Sequence, residues 1–553
     1  MKNSSLTGFK LIVFFCFLAF TNCKKQAETP ESQDASISFT VDGVYNGTLT
    51  YKDVKVNPII RITFTAPIIQ TVLPLITLKA ASNQNVPINY TLSPDGLVLS
   101  ISTQNTLESF NNYELQVPAS LTTQSGGKLI NPLRISLQAG LNDNDKFPRI
   151  TDNELLTLIQ RQTFKYFWDF GHPNSGLARE RNTSGDLVTT GGSGFGIMSI
   201  VVGINRNFIT KAEGLARLQK IVGFLKTADT FLGVFPHWLN GNTGKVIAFS
   251  AKDNGADLVE TSFLMQGLLV ARQFFNGINP IETQLRADIN QMYNNVEWNW
   301  FTKGTGNNLY WHWSPNFGWD INLRIRGWNE SLMVYVLAAS SSTYTIPKVV
   351  YDEGWAGNGS MRNGRTFYNT TLPLGSDNGG PLFFEHYSFL GLNPIGLTDA
   401  YANYETQTVA HSKINYNYCV VNPKNFTGYS ENCWGLTASD INGGYTASSP
   451  NNDRGYIAPT AAIGSIPYTP QESLQAIRFF YYKLGDKLWG EYGFKDAFSL
   501  SDPWFANSFL AIDQGPQIVM IENYRTGLIW DLFMSCPEVK LGLVKLGFKS
   551  PKI

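Results

Sequence analysis

Charge is sparse in this chain and cysteine sparser. Asp plus Glu and Lys plus Arg both number 43 in 553 residues, so the formal net charge is zero. That balance excludes a nucleic-acid partner, which would call for a basic field. The five cysteines show no metal-site spacing. The five histidines form no H-E-x-x-H pattern. P-loop, dinucleotide fingerprint and G-x-S-x-G elbow are all missing, and D-I-N-G-G at Asp440 lacks the further ligands of a calcium loop. No cofactor, metal or covalent nucleophile is therefore expected. Nor is any apolar run long enough to span a bilayer.

One short apolar run has a different meaning. Leu11 to Phe20 follows Lys2 and Lys10 and has the length of a signal-peptide core. It ends at F-T-N-C, and Cys23 there resembles the acylated cysteine of a bacterial lipoprotein, with Phe20 and Asn22 in place of the usual aliphatic and small residues. The expectation is a leader over 1–22 and a lipid anchor on Cys23. A polar tether over 23–36 then holds a monomer to the outer membrane, facing the periplasm or the cell surface. Once Cys16 is removed and Cys23 lipidated, Cys419, Cys433 and Cys536 allow at most one disulfide.

Residues 37–141 have strand texture. I-I-R-I-T-F-T-A-P, L-V-L-S-I-S-T and Y-E-L-Q-V-P alternate apolar and polar positions between turn residues, predicting about seven short strands in a β-sandwich. The order of features resembles bacterial Ig-like modules. After a linker near 142–148 the period turns helical. Thr210 and Glu213 form a capping box, and helices are predicted near 256–276, 281–300, 328–340, 380–391, 398–417, 457–464, 470–485 and 516–530. About a dozen helices with long Gly-, Asn- and aromatic-rich loops make the chain mainly α and suggest an α/α barrel over 150–548.

The acids carry the chemistry. In D-N-G-A-D-L-V-E-T, Asp253, Asp257 and Glu260 are spaced i, i+4, i+7, which places them on one face if the helix starts early enough. The segment that follows is apolar on every side, as interior helices are. Such acids can simply complement the helix dipole, but at the mouth of an interior helix they face either costly unpaired burial or a polar cleft, and the cleft is expected. Two carboxylates that cleave a glycosidic bond must bracket it, so a partner is needed from another helix mouth. Glu330 in R-G-W-N-E-S, again followed by an apolar helix, is that candidate.

F-K-Y-F-W-D-F-G-H-P-N-S-G-L-A-R-E-R, D-N-G-A-D-L-V-E-T-S-F-L-M-Q-G-L-L and R-G-W-N-E-S together resemble the bacterial glucoamylase-like proteins of glycoside hydrolase family 144. The resemblance implies an (α/α)6 barrel and hydrolysis of β-1,2-glucan with inversion, by endo action or by release of sophorose. It places activity on Asp253, Asp257, Glu260 and Glu330. Glu260 or Glu330 is expected to protonate the leaving oxygen, and Asp257 or Asp253 to activate water. Candidate contacts to the polysaccharide or oligosaccharide substrate are Arg179, Glu180, His237, Trp238, Trp311, Trp313, Arg326 and His386. The rival readings are a hydrolase of another glucan, a glycan-binding lipoprotein without catalysis, and a polysaccharide lyase.

Overall fold

The computed structural model describes residues 31–304 and 306–553; the leader and Cys23 lie outside them. Two compact units divide the chain, one ending at Leu141 and the other beginning at Asn142.

The first unit has nine strands rather than seven: β1 (Ile37–Val41), β2 (Thr50–Val54), β3 (Ile59–Phe64), β4 (Thr77–Ala80), β5 (Asn85–Val86), β6 (Ile88–Leu92), β7 (Val98–Thr103), β8 (Asn112–Val117) and β9 (Leu133–Ala139). They form two sheets, ordered β1-β3-β7-β6 and β2-β9-β8-β4-β5. Only the β2–β9 pair among these is parallel. Alternate residues of β3, β8 and β9 are buried, so Ile60, Ile62, Leu115, Ile135 and Leu137 share one core. The chain already belongs to this unit at Ala35, whose N–H donates to the Lys128 carbonyl.

The second unit is helical: α1 (Asp152–Trp168), α2 (Thr190–Asn205), α3 (Lys211–Leu225), α4 (Leu258–Phe274), α5 (Pro280–Asn295), α6 (Leu332–Ser340), α7 (Tyr404–Val421), α8 (Pro459–Gly464), α9 (Pro470–Arg478), α10 (Gly485–Leu488), α11 (Ala511–Thr526), α12 (Leu528–Met534) and α13 (Pro537–Leu546). Both α1 and α3 open with complete capping boxes, Thr151–Glu154 and Thr210–Glu213. Helix α2 lies between α4 and α11; α4 neighbours α6, and α11 neighbours α8. Most residues of these helices are buried, and every residue of α6 is. Helices α1, α3, α5 and α13 pack against this inner set with amphipathic faces. No helix among the described residues is long and apolar enough to cross a membrane. Cys419, Cys433 and Cys536 are buried free thiols.

Two predicted helices differ. Residues 380–391 form two 3-10 turns, Leu382–Glu385 and Ser388–Leu390. Here the Glu385 carboxylate is buried among Trp328, Gln407 and His411 instead of facing outward as a helical acid would. The helix expected to open at Pro516 starts at Ala511 and carries Pro516 inside it.

Candidate active site

Backbone contact between α2 and α4 sets the site. A Cβ on Gly267 would lie 2.2 Å from the Gly194 carbonyl, so these glycines let the helices touch main chain to main chain. That approach puts the Gly191 N–H 2.8 Å from Glu260 Oε2, at the mouth of the pair.

The three acids do not share a helix face. Asp253 closes a tight turn with Ser250, Ala256–Asp257 is a two-residue strand paired with His312–Trp313, and only Glu260 is helical. Asp257 is the N-cap of α4: its Oδ1 accepts from the N–H groups of Val259 (3.0 Å) and Glu260 (2.9 Å). Its Oδ2 accepts from His237 Nδ1 at 2.9 Å, with His312 Nε2 at 3.5 Å. Burial would raise the Asp257 carboxyl, but these histidine contacts hold it below the usual carboxylate range. His312 Nε2 also lies 3.2 Å from Asp253 Oδ2. Burial lowers the His237 imidazole, yet the charges of Glu260, Asp257 and Asp253 outweigh it and carry the group up to about 9. His237, Asp253 and Asp257 bring ligand atoms within 4.8 Å of one another, close enough for a metal ion; the His237 imidazole, carried up to about 9, already supplies positive charge there.

Two other carboxyls are pushed the opposite way. Burial, with the Asp257 charge added, raises Glu260 against the opposing pull of His237 and the Gly191 N–H. Glu330, partly buried in the turn before α6, is pushed up to about 7 by burial and by the charges of Glu260 and Asp257. Its carbonyl accepts from Ser388 Oγ, which fixes the turn.

Glu260 opens into a cleft of about 430 Å³ whose walls include Glu180, Arg181, His237, Trp238, Phe249, Tyr387, Tyr445, Leu510 and Ile512. In the cleft lining, Arg181 reaches Glu180 (3.0 Å) and Asp440 (3.2 Å). Asp440 also accepts from Ser508 Oγ at 2.5 Å, and its N–H donates to Asp496 at 2.6 Å. Asp496 and Asp513 are buried and hydrogen-bonded to each other. Burial raises Asp496 to about 7 and Asp513 further, because two adjacent carboxylates resist both being charged. The charges of Asp513, Glu330 and Glu260 all help to raise the buried Tyr387 hydroxyl, after burial itself. Glu180 and Glu260 are the carboxyls among the lining residues of the cleft.

Of the predicted contacts, Glu180, His237 and Trp238 line the cleft. Arg179 does not: its guanidinium donates to the Phe170 (2.6 Å) and Gly185 (2.7 Å) carbonyls, and the arginine of the cleft is Arg181. His386 is buried against Ser465 and driven down to about 3 by burial, so it is a neutral packing histidine, while its neighbour Tyr387 faces the cleft. The Trp311 carbonyl accepts from Leu258 N–H, and its ring stacks on His312. Trp313 packs edge-on against Trp300, and Arg326 is exposed. The sequence did not single out Phe249, Tyr445, Asp496 or Asp513.

The family model described as "Putative glucoamylase" matches residues 322–537, and that of a bacterial Ig-like domain matches 44–137. An exo-β-1,2-glucooligosaccharide sophorohydrolase of Parabacteroides distasonis is 48% identical over 420 residues, 72% of this chain. The match spans 58% of that relative's own length. The endo-β-1,2-glucanase of Chitinophaga pinensis, solved with sophorotriose and glucose, is 50% identical, with a TM-score of 0.72 over 73% of this chain and 100% of that one. A β-1,2-glucanase structure from Parabacteroides distasonis is 40% identical, with a TM-score of 0.71 over 90% of this chain and 72% of the other. The chain belongs to the glucoamylase-like family, glycoside hydrolase family 144, and carries a bacterial Ig-like module ahead of its helical unit.

Proposed function

We propose that this protein hydrolyses β-1,2-glucan by an inverting acid/base mechanism. The observation that carries the reading is the cleft lined by Glu180 and Glu260, with Glu330 near enough to feel the Glu260 charge and pushed up to about 7. Relatives of half-identical sequence act on this glucan by their names. Glu330 protonates the leaving oxygen, as a carboxylic acid of raised pKa does. Both oxygens of Asp257 are already taken by protein donors, which suits it to orient His237 and Glu260 rather than to activate water. The base is assigned instead to the Asp496–Asp513 pair, where two carboxyls hold one proton and one charge between them. In this assignment the pair takes the proton of the attacking water while Glu330 gives its own to the leaving oxygen.

The inner set α2, α4, α6, α8 and α11, with other helices packed outside, supports an (α/α)6 barrel with the cleft at its mouth. Cys23 is proposed as the lipid anchor of an envelope protein. Incubation with linear β-1,2-glucan, starch and laminarin, with products chromatographed over time, tests the activity. Mixed oligosaccharides from β-1,2-glucan indicate endo action, and sophorose alone indicates exo action. Breakdown of starch but not of β-1,2-glucan would overturn the substrate assignment.

A further inference from the structure

The aromatic run after α5 is only partly used by the cleft. Trp298 is fully buried, as a packing tryptophan is, but Trp300 and Trp319 stay partly open. Their rings stack at 4.8 Å, and Trp313 meets Trp300 edge-on at 5.4 Å. A hollow of about 570 Å³ opens beside them, lined by Glu297, Asn299, Trp300, Lys303, Trp319 and Tyr344. Lys303 Nζ sits 3.6 Å from the Tyr310 ring centroid and 4.8 Å from that of Trp319, fixing its charge against the aromatics. No residue of this hollow lines the cleft.

We infer that the hollow at Trp300, Trp319 and Tyr344 is a second glucan-binding site, which holds the polymer while the cleft cuts it. The inference rests on the glucan reading above. A neutral sugar offers apolar C–H faces and a rim of hydroxyls, and the hollow offers the matching surfaces: aromatic rings with a carboxylate and an amide beside them. Among the described residues no hydrogen bond from protein holds the Glu297 or Asn299 side chain, so both are available to hydroxyls. The hollow is also tied to the catalytic mouth. His312 and Trp313 form one strand, the first meeting Asp253 and the second Trp300. A chain held at a second site raises the effective concentration of bonds at the cleft, and this benefits only substrates long enough to reach both.

The test uses the whole protein and the variants Tyr344→Ala and Asn299→Ala, with Trp300→Ala as the strongest. Retention on native gels cast with linear β-1,2-glucan is compared with kcat/KM on the polymer and on a four-glucose β-1,2-oligosaccharide, and Tm reports folding. The expected result is weaker retention and a polymer kcat/KM lower by roughly five- to tenfold, with the short substrate and Tm unchanged for the two milder variants. Unchanged retention and polymer kinetics would overturn the site, as would equal losses on both substrates, which would make the loop a support of the cleft. Wild-type protein that is retained by the glucan without cleaving it would keep the site and sink the hydrolase reading; wild-type cleavage without any change in the variants would do the reverse.

Discussion

The amide of Gly191 donates to Glu260 Oε2 across 2.8 Å, joining the first turn of α2 to the first turn of α4. A helix N-terminus has unpaired N–H groups and a positive dipole end, so it is a natural seat for a carboxylate. Here the seat belongs to one helix and the carboxylate to another. The contact requires both a bare α-carbon at 191 and the close glycine approach at 194 and 267.

Gly191→Ala places a methyl 2.5 Å from Glu260 Oε2. The carboxylate must swing away and gives up the amide. Turnover of β-1,2-glucan is expected to fall at least ~10-fold, the scale of a displaced active-site group. Loss of stability is expected to stay on the order of 1–2 kcal/mol, because the carboxylate can move toward the cleft. Steady-state kinetics beside thermal unfolding checks both, and wild-type kcat/KM would show that Glu260 needs no such anchor.

Glu330→Gln removes the proposed proton donor. A loss of roughly 10²–10⁴ in kcat is expected, with KM changed little. In the wild type the acid is active only while protonated. Its pKa is raised to about 7, so kcat/KM should hold on the acid side and fall as pH rises through about 7. An alkaline limb that stays in place in a residual-activity variant such as Glu330→Asp would assign it to another group.

Much of this was legible in the sequence, for definable reasons. Asp253, Asp257, Glu260 and Glu330 were visible because each precedes an apolar helix, and the strands of the first unit showed because β3, β8 and β9 alternate burial residue by residue. Asp513 was hidden by Pro516. Read as the first helical residue, the proline leaves Asp513 in a loop; in the fold the helix begins five residues earlier and Asp513 lies in its first turn. Arg179 and Arg181 are both polar loop arginines, but Arg179 bridges to Val188 and donates to the Phe170 carbonyl, whereas Arg181 bridges to Leu510 and reaches Glu180 and Asp440. His386 is buried against Ser465 while its neighbour Tyr387 lines the cleft, a difference between adjacent residues that sequence alone does not display.

Asp513→Asn tests the Asp496–Asp513 pair. If the Asp496–Asp513 pair accepts the proton of the attacking water, kcat should fall by on the order of 10²–10³ or more, with product size unchanged. Folding should be retained, since an amide still hydrogen-bonds the Asp496 carboxyl and carries no charge to bury. Near-wild-type turnover in a folded Asp513→Asn protein would remove the pair from the mechanism and return the base to Asp253.

The His237–Asp257 contact makes a prediction about stability and pH. His237 titrates near 9 in the fold and near 6.5 in an unfolded chain, so the folded state binds its proton more tightly. The stabilisation is complete below about 6.5 and disappears as pH rises through about 9, amounting at most to something on the order of 3 kcal/mol. His237→Gln keeps a hydrogen-bond donor for Asp257 but no charge. The Tm difference between wild type and His237→Gln should therefore be largest near pH 6 and shrink steadily toward pH 9.5. Asp257 would remain ionised in both proteins across that range, because its carboxyl sits below the usual carboxylate values. A difference independent of pH would mean that His237 is neutral in the fold and stabilises Asp257 by its hydrogen bond alone.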